Sequence, residues 1–208
     1  MPVTLYAATT NSGKLRDFSV AAAEANFIVQ PLPNLNTIPV PPENEPTFAG
    51  NARAKAQYYS RFTPAFVLAD DSGLEVDALG GEPGVRSARF AEDAGFDPRG
   101  PGTDVSTDAR NNLYLLSRMR GIAQRSARYR CALALAREGD VLLTAEGFVD
   151  GEILTAGRGT GGFGYDPLFH LPHLRLTMAE ISLEHKHTLS HRGRAFRALI
   201  PGLRKLLD

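Results

Sequence analysis

Six small and polar residues near the start of the chain have the composition of a phosphate-binding loop. They follow the strand-like run 4–8 and precede an amphipathic helix pattern, and they are Thr9, Thr10, Asn11, Ser12, Gly13 and Lys14. The N–H groups at a helix start and the charge of a lysine both attract anions. The segment is not a Walker A loop, because Ala8 stands where that pattern needs glycine and Leu15 follows the lysine. A phosphate site and a plain strand-to-helix turn are both compatible with it.

Two adjacent carboxylates, Asp70 and Asp71, follow the apolar run 65–69 and precede Ser72 and Gly73. We expect them at a strand end, where neighbouring residues point to opposite faces and only one of them faces a given cleft. Such a carboxylate can bind a hard cation such as Mg²⁺ or act as a general base for water. The alternative is a turn in which aspartate hydrogen-bonds nearby backbone. An aspartic protease is poorly supported, because it needs a second Asp-Ser/Thr-Gly, which the sequence lacks.

A glycine-rich stretch at 157–164 formally contains the G-x-G-x-x-G pattern. A dinucleotide site needs that pattern between a first strand and a helix, whereas Pro167 and the aromatic residues here oppose a helix. Phe163 and Asp166 suit a base pocket instead, since an aromatic ring can stack on a planar base. Packing of these aromatic residues onto the core is the alternative.

Histidine and cationic residues cluster around a helix start predicted at Ser190. His185, His187 and His191 permit a zinc site, but their neighbours are mostly cationic and no cysteine lies nearby in the sequence. Cations at a helix N-terminus oppose the helix dipole, which favours an anionic or acceptor-rich ligand beside them. A solvated basic face is the ordinary alternative.

The length of 208 residues predicts a single domain over 1–208, or one domain with a cleft between two lobes. Lys+Arg and Asp+Glu balance at 23 each, which argues against a general nucleic-acid binder. No apolar stretch reaches membrane-spanning length. Cys131 lies in an apolar run and suits a buried thiol in a reducing compartment, and no export signal is visible, so we expect a cytoplasmic protein.

The elements that must position these residues alternate between strands and helices. We predict strands at 4–8, 27–30, 65–69, 128–136 and 141–149, with hairpin turns at 138–140 and 150–151. We predict helices at 14–25, from Thr47, from Asp104 or Ser106 through Met119, at 181–186 and from Ser190. The segment 80–102 suits an ordered functional loop or a flexible one. The last helix is expected to bend or break at Pro201. Consecutive hairpins among helices predict a mixed α/β fold with a mixed sheet.

Five motifs, taken together and in order, resemble those of the inosine/xanthosine triphosphate pyrophosphatases, a family that clears deaminated purine nucleotides. The motifs are 9–14, Thr47-Phe48 with 51–56, 69–74, 161–167 and 190–193, and the segment 79–90 is also similar. They span nearly the whole chain. Each is modest alone, and their shared order is what makes the resemblance specific.

The resemblance implies Mg²⁺-dependent hydrolysis of ITP, dITP or XTP to the monophosphate and pyrophosphate. It also implies a long mixed sheet flanked by helices, two lobes with the active-site cleft between them, and usually a homodimer. By position, residues 9–14 and Lys55 would hold the triphosphate, Asp71 would bind metal and activate water, and Ser72 would touch the substrate. The base pocket would consist of Phe163, Gly164, Tyr165, Asp166, Lys186, His191 and Arg192.

One departure from the family pattern concerns the metal. Family members often carry paired acids on the helix after Thr47, where this chain has Ala49 and Gly50. A second acidic metal ligand is expected before that helix. Glu43 is the better match for it, and Glu45 is the alternative.

The residue types of the expected base pocket fit a 6-oxopurine. Lysine and arginine only donate hydrogen bonds, so they satisfy a 6-oxo group and oppose the 6-amino group of adenine. Buried groups left unpaired in this way can reject a wrong substrate by about 10⁴–10⁵-fold. A non-catalytic sensor of purine nucleotides, or a triphosphatase for another modified nucleotide, would use the same pocket.

Replacing Lys14 by alanine is expected to weaken the handling of the triphosphate whichever base is attached, because a lysine in this loop reads charge. The loss in kcat/KM should be similar when it is measured with ITP and with XTP. A strongly base-selective defect would move Lys14 out of the phosphate site.

Overall fold

The structure is a computed structural model that describes residues 2–97 and 105–207, apart from the side chains of Leu183, Glu184 and His187. The α-helices of the described residues are α1 (Ser12–Ala23), α2 (Phe48–Tyr59), α3 (Phe90–Asp93), α4 (Thr107–Arg118), α5 (Leu183–Leu189) and α6 (His191–Leu207). The strands of the same residues are β1 (Val3–Ala7), β2 (Phe27–Pro31), β3 (Val67–Val76), β4 (Ser126–Arg137), β5 (Asp140–Ile153), β6 (Phe169–Leu171) and β7 (Leu176–Thr177).

Within the described residues, the strands form one seven-stranded sheet in the order β2-β1-β3-β4-β5-β6-β7. Strand β1 runs parallel to β2 and β3, whereas β6 runs antiparallel to β5 and β7. The prediction of a mixed α/β fold with a mixed sheet is therefore confirmed. No helix of the described chain is long and apolar enough to cross a membrane.

The chain divides into two compact units, and the divisions fall within β3, β4, β5 and α5. The first unit comprises Met1–Ser72, Arg130–Phe148 and His187–Asp208, and the second comprises Gly73–Tyr129 and Val149–Lys186. Each unit carries part of the predicted site.

The core of the first unit is built where α1 packs against β2 and α6. The side chain of Asn11 caps α1 by accepting a hydrogen bond from the N–H of Lys14. Helix α1 then buries one face, with apolar residues three and four positions apart. The fully buried members of this core include Leu5, Phe18, Ala21, Ala22, Leu68, Leu133, Leu135, Ala195 and Phe196.

Helix α2 begins as the sequence predicted. The hydroxyl of Thr47 accepts a hydrogen bond from the N–H of Gly50 at 3.0 Å and caps the helix. Ala52 and Ala56, four residues apart, are fully buried. This packing presents the side chains of Asn51 and Lys55 on the same helix to β3.

Strand β3 is longer than predicted, so Asp70 and Asp71 lie within a strand and not at its end. The extension is stabilised in the second unit, where the hydroxyl of Ser87 accepts a hydrogen bond from the N–H of Leu74 at 2.9 Å. A Cβ atom at Gly73 would lie 2.3 Å from that hydroxyl oxygen. The glycine that suggested a turn is therefore needed for a close approach between two backbone segments.

Of the two predicted hairpin turns, only the first is present. Strands β4 and β5 are neighbours in the sheet and are joined by Glu138 and Gly139, which both have positive φ. The predicted turn at 150–151 was wrong, because β5 continues through it to Ile153. A Cβ atom at Gly151 would lie 2.7 Å from the ring of Phe169, so this glycine gives room for the neighbouring strand β6.

In the second unit, the predicted loop at 80–102 is largely folded into short helices, with its residues 98–102 outside the described part. Two 3₁₀ helices, Asp77–Leu79 and Gly84–Arg89, precede α3. The buried side chain of Asn111 on α4 accepts from the N–H of Ala91 at 2.9 Å and donates to the carbonyl of Ala88 at 3.0 Å.

The predicted helix from 104 or 106 is α4. Ser106 caps it by accepting from the N–H of Ala109, and Asp104 lies outside the described residues. The last two predicted helices are α5 and α6. Of the expected bend or break at Pro201, the break was wrong, since α6 continues through that residue.

Gly147 on β5 allows the strand to approach the start of α6 in the first unit. A Cβ atom there would lie 2.3 Å from the backbone nitrogen of Ala195 and 2.4 Å from the carbonyl oxygen of His191. Both atoms are backbone, so no side-chain rotation can relieve the clash. The absence of a side chain at this position therefore fixes where His191 and Arg192 lie.

We expect Gly147→Ala to lower the free energy of unfolding by about 1–3 kcal/mol or more, because overpacking a core displaces backbone. The measurement is urea denaturation followed by circular dichroism. Gly202→Ala on α6 is the matched control, since its Cβ atom would meet only the flexible end of Leu143, at 2.9 Å. Equal losses in the two variants would contradict the backbone clash.

Candidate active site

Asp70 and Asp71 contact different partners in the first unit. Asp70 accepts hydrogen bonds from Lys14 Nζ at 2.8 Å and from Ser72 Oγ at 2.9 Å. Asp71 accepts one from Asn51 Nδ2 at 2.9 Å. This separation follows from the alternation of side chains along a strand. We name two groups accordingly: the Asp70 cluster (Asp70, Lys14, Ser72, Arg192 and Asp17) and the Asp71 cluster (Asp71, Asn51, Lys55 and Glu43).

The carboxylate of Asp70 is buried and yet strongly stabilised in its charged form. Burial alone would raise its pKa, but the charges of Lys14, Lys55 and Arg192 outweigh burial and hold the pKa of Asp70 well below its usual range. Asp70 is therefore ionised at neutral pH. Its charge fixes the ammonium group of Lys14, which lies in the first turn of α1.

Arg192 reaches the Asp70 cluster from the first turn of α6. Its guanidinium group donates to Ser72 Oγ at 3.1 Å and to Asp17 Oδ2 at 3.4 Å. Arg192 and Asp17 are both buried, so each charge compensates the other. The hydroxyl of Ser72 accepts from Arg192 and donates to Asp70, and it connects the two ion pairs. His191, the preceding residue, is also buried.

The Asp71 cluster favours proton acceptance. Burial raises the pKa of Asp71, and the charge of Lys55 and the hydrogen bond from Asn51 only partly counteract it. Lys55 Nζ lies 3.5 Å from Asp71 Oδ1 and 3.0 Å from Glu43 Oε1. Burial also opposes the charge of Lys55, but the carboxylates of Asp70, Asp71 and Glu43 outweigh it and raise the pKa of Lys55. A carboxylate with a raised pKa beside a fixed cation can accept a proton from water.

Glu43 and Asp71 also fit a divalent cation. Their carboxylates flank one point, the ammonium group of Lys55, and carboxylate oxygens are the ligands of hard cations. Among the described side chains, no three His, Cys, Asp or Glu residues are grouped to hold a metal ion. Two carboxylates suit a cation such as Mg²⁺, which usually keeps waters and binds substrate phosphates as well.

Glu45, the alternative to Glu43, is oriented differently from it. Glu45 contacts the cluster through its backbone, since its N–H donates to Asn51 Oδ1 at 3.0 Å, and its Cβ atom packs over Gly50. The zinc alternative depended partly on His187, whose side chain lies outside the described residues. The side chain of Glu43, in contrast, accepts a hydrogen bond from Lys55, which also contacts Asp71.

The predicted phosphate loop lies between β1 and α1. The side chain of Asn11 caps the helix, and its N–H donates to Thr9 Oγ1 at 3.2 Å. Thr10, Asn11 and Ser12 are exposed, and Gly13 and Lys14 are partly exposed. The first turn of α1 contains no acidic residue. An exposed helix start with a lysine and no acid attracts an anion.

In the second unit, Asp166 accepts hydrogen bonds from three separate elements. The N–H of Phe163 donates to Oδ2 at 2.9 Å, the ammonium group of Lys186 on α5 forms a close ion pair with the same oxygen, and the hydroxyl of Tyr129 on β4 donates to Oδ1 at 3.2 Å. Lys186 Nζ also lies 5.6 Å from the ring centroid of Phe163. A Cβ atom at Gly162 would lie 2.0 Å from Asp166 Oδ2, so only glycine fits there.

Gly164 and Tyr165 hold this loop in place. Two residues on adjacent turns of α4 bind both polar groups of Gly164: Asp108 accepts from its N–H at 2.7 Å, and Asn112 donates to its carbonyl at 2.9 Å. Tyr165 is buried, and its hydroxyl donates to the carbonyl of Ser87 at 2.8 Å. The contacts of these two residues are thus anchoring contacts within the protein.

The structure therefore distributes the predicted residues over two groups. The first unit contains residues 9–14, Glu43, Lys55, Asp71, Ser72, His191 and Arg192, and the second contains Phe163, Gly164, Tyr165, Asp166 and Lys186. Arg192, which was expected in the base pocket, donates to two residues of the first unit, Ser72 and Asp17.

Four residues of these clusters were not singled out from the sequence for the roles that their contacts indicate. Asn51 binds Asp71, and Asp17 binds Arg192. Asp70 binds Lys14, and Tyr129 binds Asp166. A signal existed for Asn51, which lies four residues before Lys55 and hence on the same helix face. The pairing of Asp17 with Arg192 joins residues 175 positions apart, and no local pattern reports it.

An exposed helix start with a lysine, a second lysine and paired carboxylates are the features that a protein acting on phosphates needs, and here a mixed α/β fold carries them. The chain belongs to the Ham1 family, whose sequence model matches residues 5–202. The resemblance seen in the sequence is thereby confirmed.

Several known proteins are similar to this chain along nearly its full length. The dITP/XTP pyrophosphatase of Acidobacterium capsulatum is 58% identical over 204 residues, which cover 98% of this chain and 99% of that protein. A dITP/XTP pyrophosphatase of Thermus thermophilus is 45% identical over 195 residues, which cover 93% and 88%. Among solved structures, a HAM1 protein from Coxiella burnetii aligns with a TM-score of 0.81 at 32% identity, covering 98% of this chain and 99% of that one.

The two carboxylates of β3 should respond differently to neutralisation. Asp70→Asn removes a charge that the folded state stabilises, so we expect a loss of about 3–5 kcal/mol in the free energy of unfolding, as is typical of a broken buried pair. Asp71→Asn removes a carboxylate whose pKa is raised by burial, so the free energy of unfolding should change little. Turnover, in contrast, should be nearly abolished. Chemical denaturation and steady-state kinetics of both variants check this. If turnover is lost in Asp70→Asn and retained in Asp71→Asn, Asp70 is the catalytic carboxylate.

Proposed function

We propose that this chain hydrolyses the deaminated purine nucleoside triphosphates dITP, ITP and XTP to the monophosphate and pyrophosphate, with Mg²⁺ as the cation. The observation that carries the proposal is the Asp71 cluster, in which the carboxylates of Asp71 and Glu43 both contact the ammonium group of Lys55. Relatives that share 58% and 45% of their residues with the chain are named dITP/XTP pyrophosphatase. We further propose a single catalytic domain over 1–208, acting as a cytoplasmic homodimer that clears these nucleotides from the pool.

The first unit would bind and activate the triphosphate. Lys14 and the start of α1 would hold phosphate oxygens, and Lys55 would add a second fixed charge. Glu43 and Asp71 would hold the divalent cation, which neutralises charge on the phosphates when it is bound. Because charge is spread over phosphate oxygens as the bond breaks, these cations lower the barrier mainly by electrostatic stabilisation.

Asp71 would accept the proton of the attacking water as the bond between the α- and β-phosphates is cleaved. Its carboxylate lies beside the charge of Lys55, and a carboxylate within reach of the attacking water can accept its proton. Asn51 fixes one oxygen of Asp71 through a 2.9 Å hydrogen bond. Asp70 would stay ionised throughout, because its task is to hold Lys14 and, through Ser72, Arg192.

The second unit would read the base through a donor and an acceptor. Hypoxanthine and xanthine present a 6-oxo acceptor beside an N1–H donor, whereas adenine presents a 6-amino donor beside an N1 acceptor. The ammonium group of Lys186 only donates and the carboxylate of Asp166 only accepts, so the pair matches the first edge and opposes the second. Phe163 would stack on the ring of either base. Guanine shares the 6-oxo and N1–H groups, so this pair does not explain its exclusion.

The direct test is release of pyrophosphate from ITP, dITP, XTP, ATP and GTP with and without Mg²⁺. We expect kcat/KM for ITP and XTP to exceed that for ATP by about 10⁴-fold, on the scale at which unpaired polar groups reject a substrate. EDTA should abolish turnover and Mg²⁺ should restore it. Asp71→Asn serves as the inactive control, because it keeps the shape of the side chain.

Three results would contradict the proposal. Release of single phosphates would change the reaction class, and equal rates with ATP and ITP would remove the base selectivity. Tight binding of ITP without turnover in the presence of Mg²⁺ would favour a nucleotide sensor.

A further inference from the structure

A buried tyrosine hydroxyl binds the carboxylate on which the proposed base reading relies. Tyr129 is 6% exposed and Asp166 is 5% exposed, and the hydroxyl donates to Oδ1 at 3.2 Å. The ring of Tyr129 packs on the ring of Phe169, with centroids 4.3 Å apart and planes inclined at 33°. Because Phe169 is fully buried, this packing fixes the ring of Tyr129 and hence the position of its hydroxyl.

The hydrogen bonds of Asp166 leave a limited number of acceptor positions. A carboxylate offers about four lone-pair positions, two on each oxygen. On Oδ2, the N–H of Phe163 and the ammonium group of Lys186 take both. On Oδ1, the hydroxyl of Tyr129 takes one. These contacts leave one position for a further donor, and it lies on Oδ1.

The bond from Tyr129 also controls how the carboxylate is oriented. The terminal torsion of an aspartate is soft and has no sharply defined rotamers. Donors on Oδ2 alone would leave Oδ1 able to move about that fixed oxygen, whereas donors on both oxygens fix the plane. Packing does not require this hydroxyl, since phenylalanine fills the same space. A buried hydroxyl needs an acceptor, and here the acceptor is Asp166.

We propose that Tyr129 is a positioning residue for base selectivity. Its hydroxyl orients Asp166 so that the one remaining acceptor position on Oδ1 receives the N1–H of a 6-oxopurine, and a base without that hydrogen is left unpaired. This inference rests on the proposed function, because it needs a substrate whose base is read by Asp166 and Lys186.

The variant that tests it is Tyr129→Phe, which removes one oxygen atom and keeps the ring on Phe169. We expect the ratio of kcat/KM for ITP to that for ATP to fall about tenfold, the scale of one hydrogen bond to a charged group, mainly through a higher KM for ITP. The matched control is Tyr114→Phe in the same unit, whose hydroxyl accepts from Arg118 at 3.3 Å. That variant should keep the wild-type ratio.

A second measurement separates positioning from a general effect on the fold. In an Asp166→Asn background, Tyr129→Phe should not change the ITP-to-ATP ratio further, because the group on which Tyr129 acts is already altered. The inference is overturned if Tyr129→Phe leaves the ITP-to-ATP ratio of kcat/KM unchanged, as equal losses with both substrates would. It is also overturned if Tyr129→Phe changes that ratio equally in the wild-type and the Asp166→Asn backgrounds. If the wild-type protein itself fails to prefer ITP, the proposed function fails first and the inference falls with it.

Discussion

The ion pair between Asp70 and Lys14 determines the electrostatics of the first unit. Two adjacent carboxylates on β3 are both buried, and burial penalises each charge. The charges of Lys14, Lys55 and Arg192 stabilise the carboxylate of Asp70 and hold its pKa low, whereas Asp71 retains a raised pKa, because Lys55 and Asn51 only partly offset its burial. Two identical side chains in sequence thereby acquire separate tasks, in the manner of carboxyl pairs whose environments push their pKa values apart. Under the proposed function, Asp70 would fix the cation that holds phosphate, and Asp71 would take a proton.

Close backbone approach is the second requirement of the clusters. At Gly73, Gly147 and Gly162, a Cβ atom would lie between 2.0 and 2.3 Å from another group. At Gly162 that group is the Asp166 carboxylate itself, so the ion pair with Lys186 needs a residue without a side chain four positions before the aspartate. At Gly147 the backbone of α6 lies against β5, which fixes the helix turn that carries Arg192. These positions therefore need glycine because any side chain would clash with a neighbouring group.

Local signals in the sequence predicted the parts of the fold that depend on neighbouring residues. Thr47 caps α2 and Glu138-Gly139 closes a hairpin as expected, because capping and turn geometry are decided within a few residues. The extension of β3 past Gly73 and of β5 past Gly151 could not be predicted, since both glycines are set by packing against Ser87 and Phe169 elsewhere in the chain. The same holds for Asp17, whose partner Arg192 is 175 positions away. The motif residues could be found from their types, but the pairs among them are nonlocal.

The two units use positive charge in different ways. In the first unit, Lys14 and Lys55 act as point charges beside carboxylates, which suits phosphates because phosphate oxygens accept from any direction. In the second unit, Lys186 and Asp166 form an ion pair without net charge, and in the proposed site they would present a donor and an acceptor to the base. A third group that orients Asp166 should therefore add no net charge to this pair. An arginine in place of Tyr129 would add a charge that attracts any triphosphate, whatever its base, whereas a phenol hydroxyl orients the carboxylate and leaves the pair neutral. In the proposed base site, selectivity would therefore follow from a neutral donor, the Tyr129 hydroxyl, on a charged acceptor, the Asp166 carboxylate.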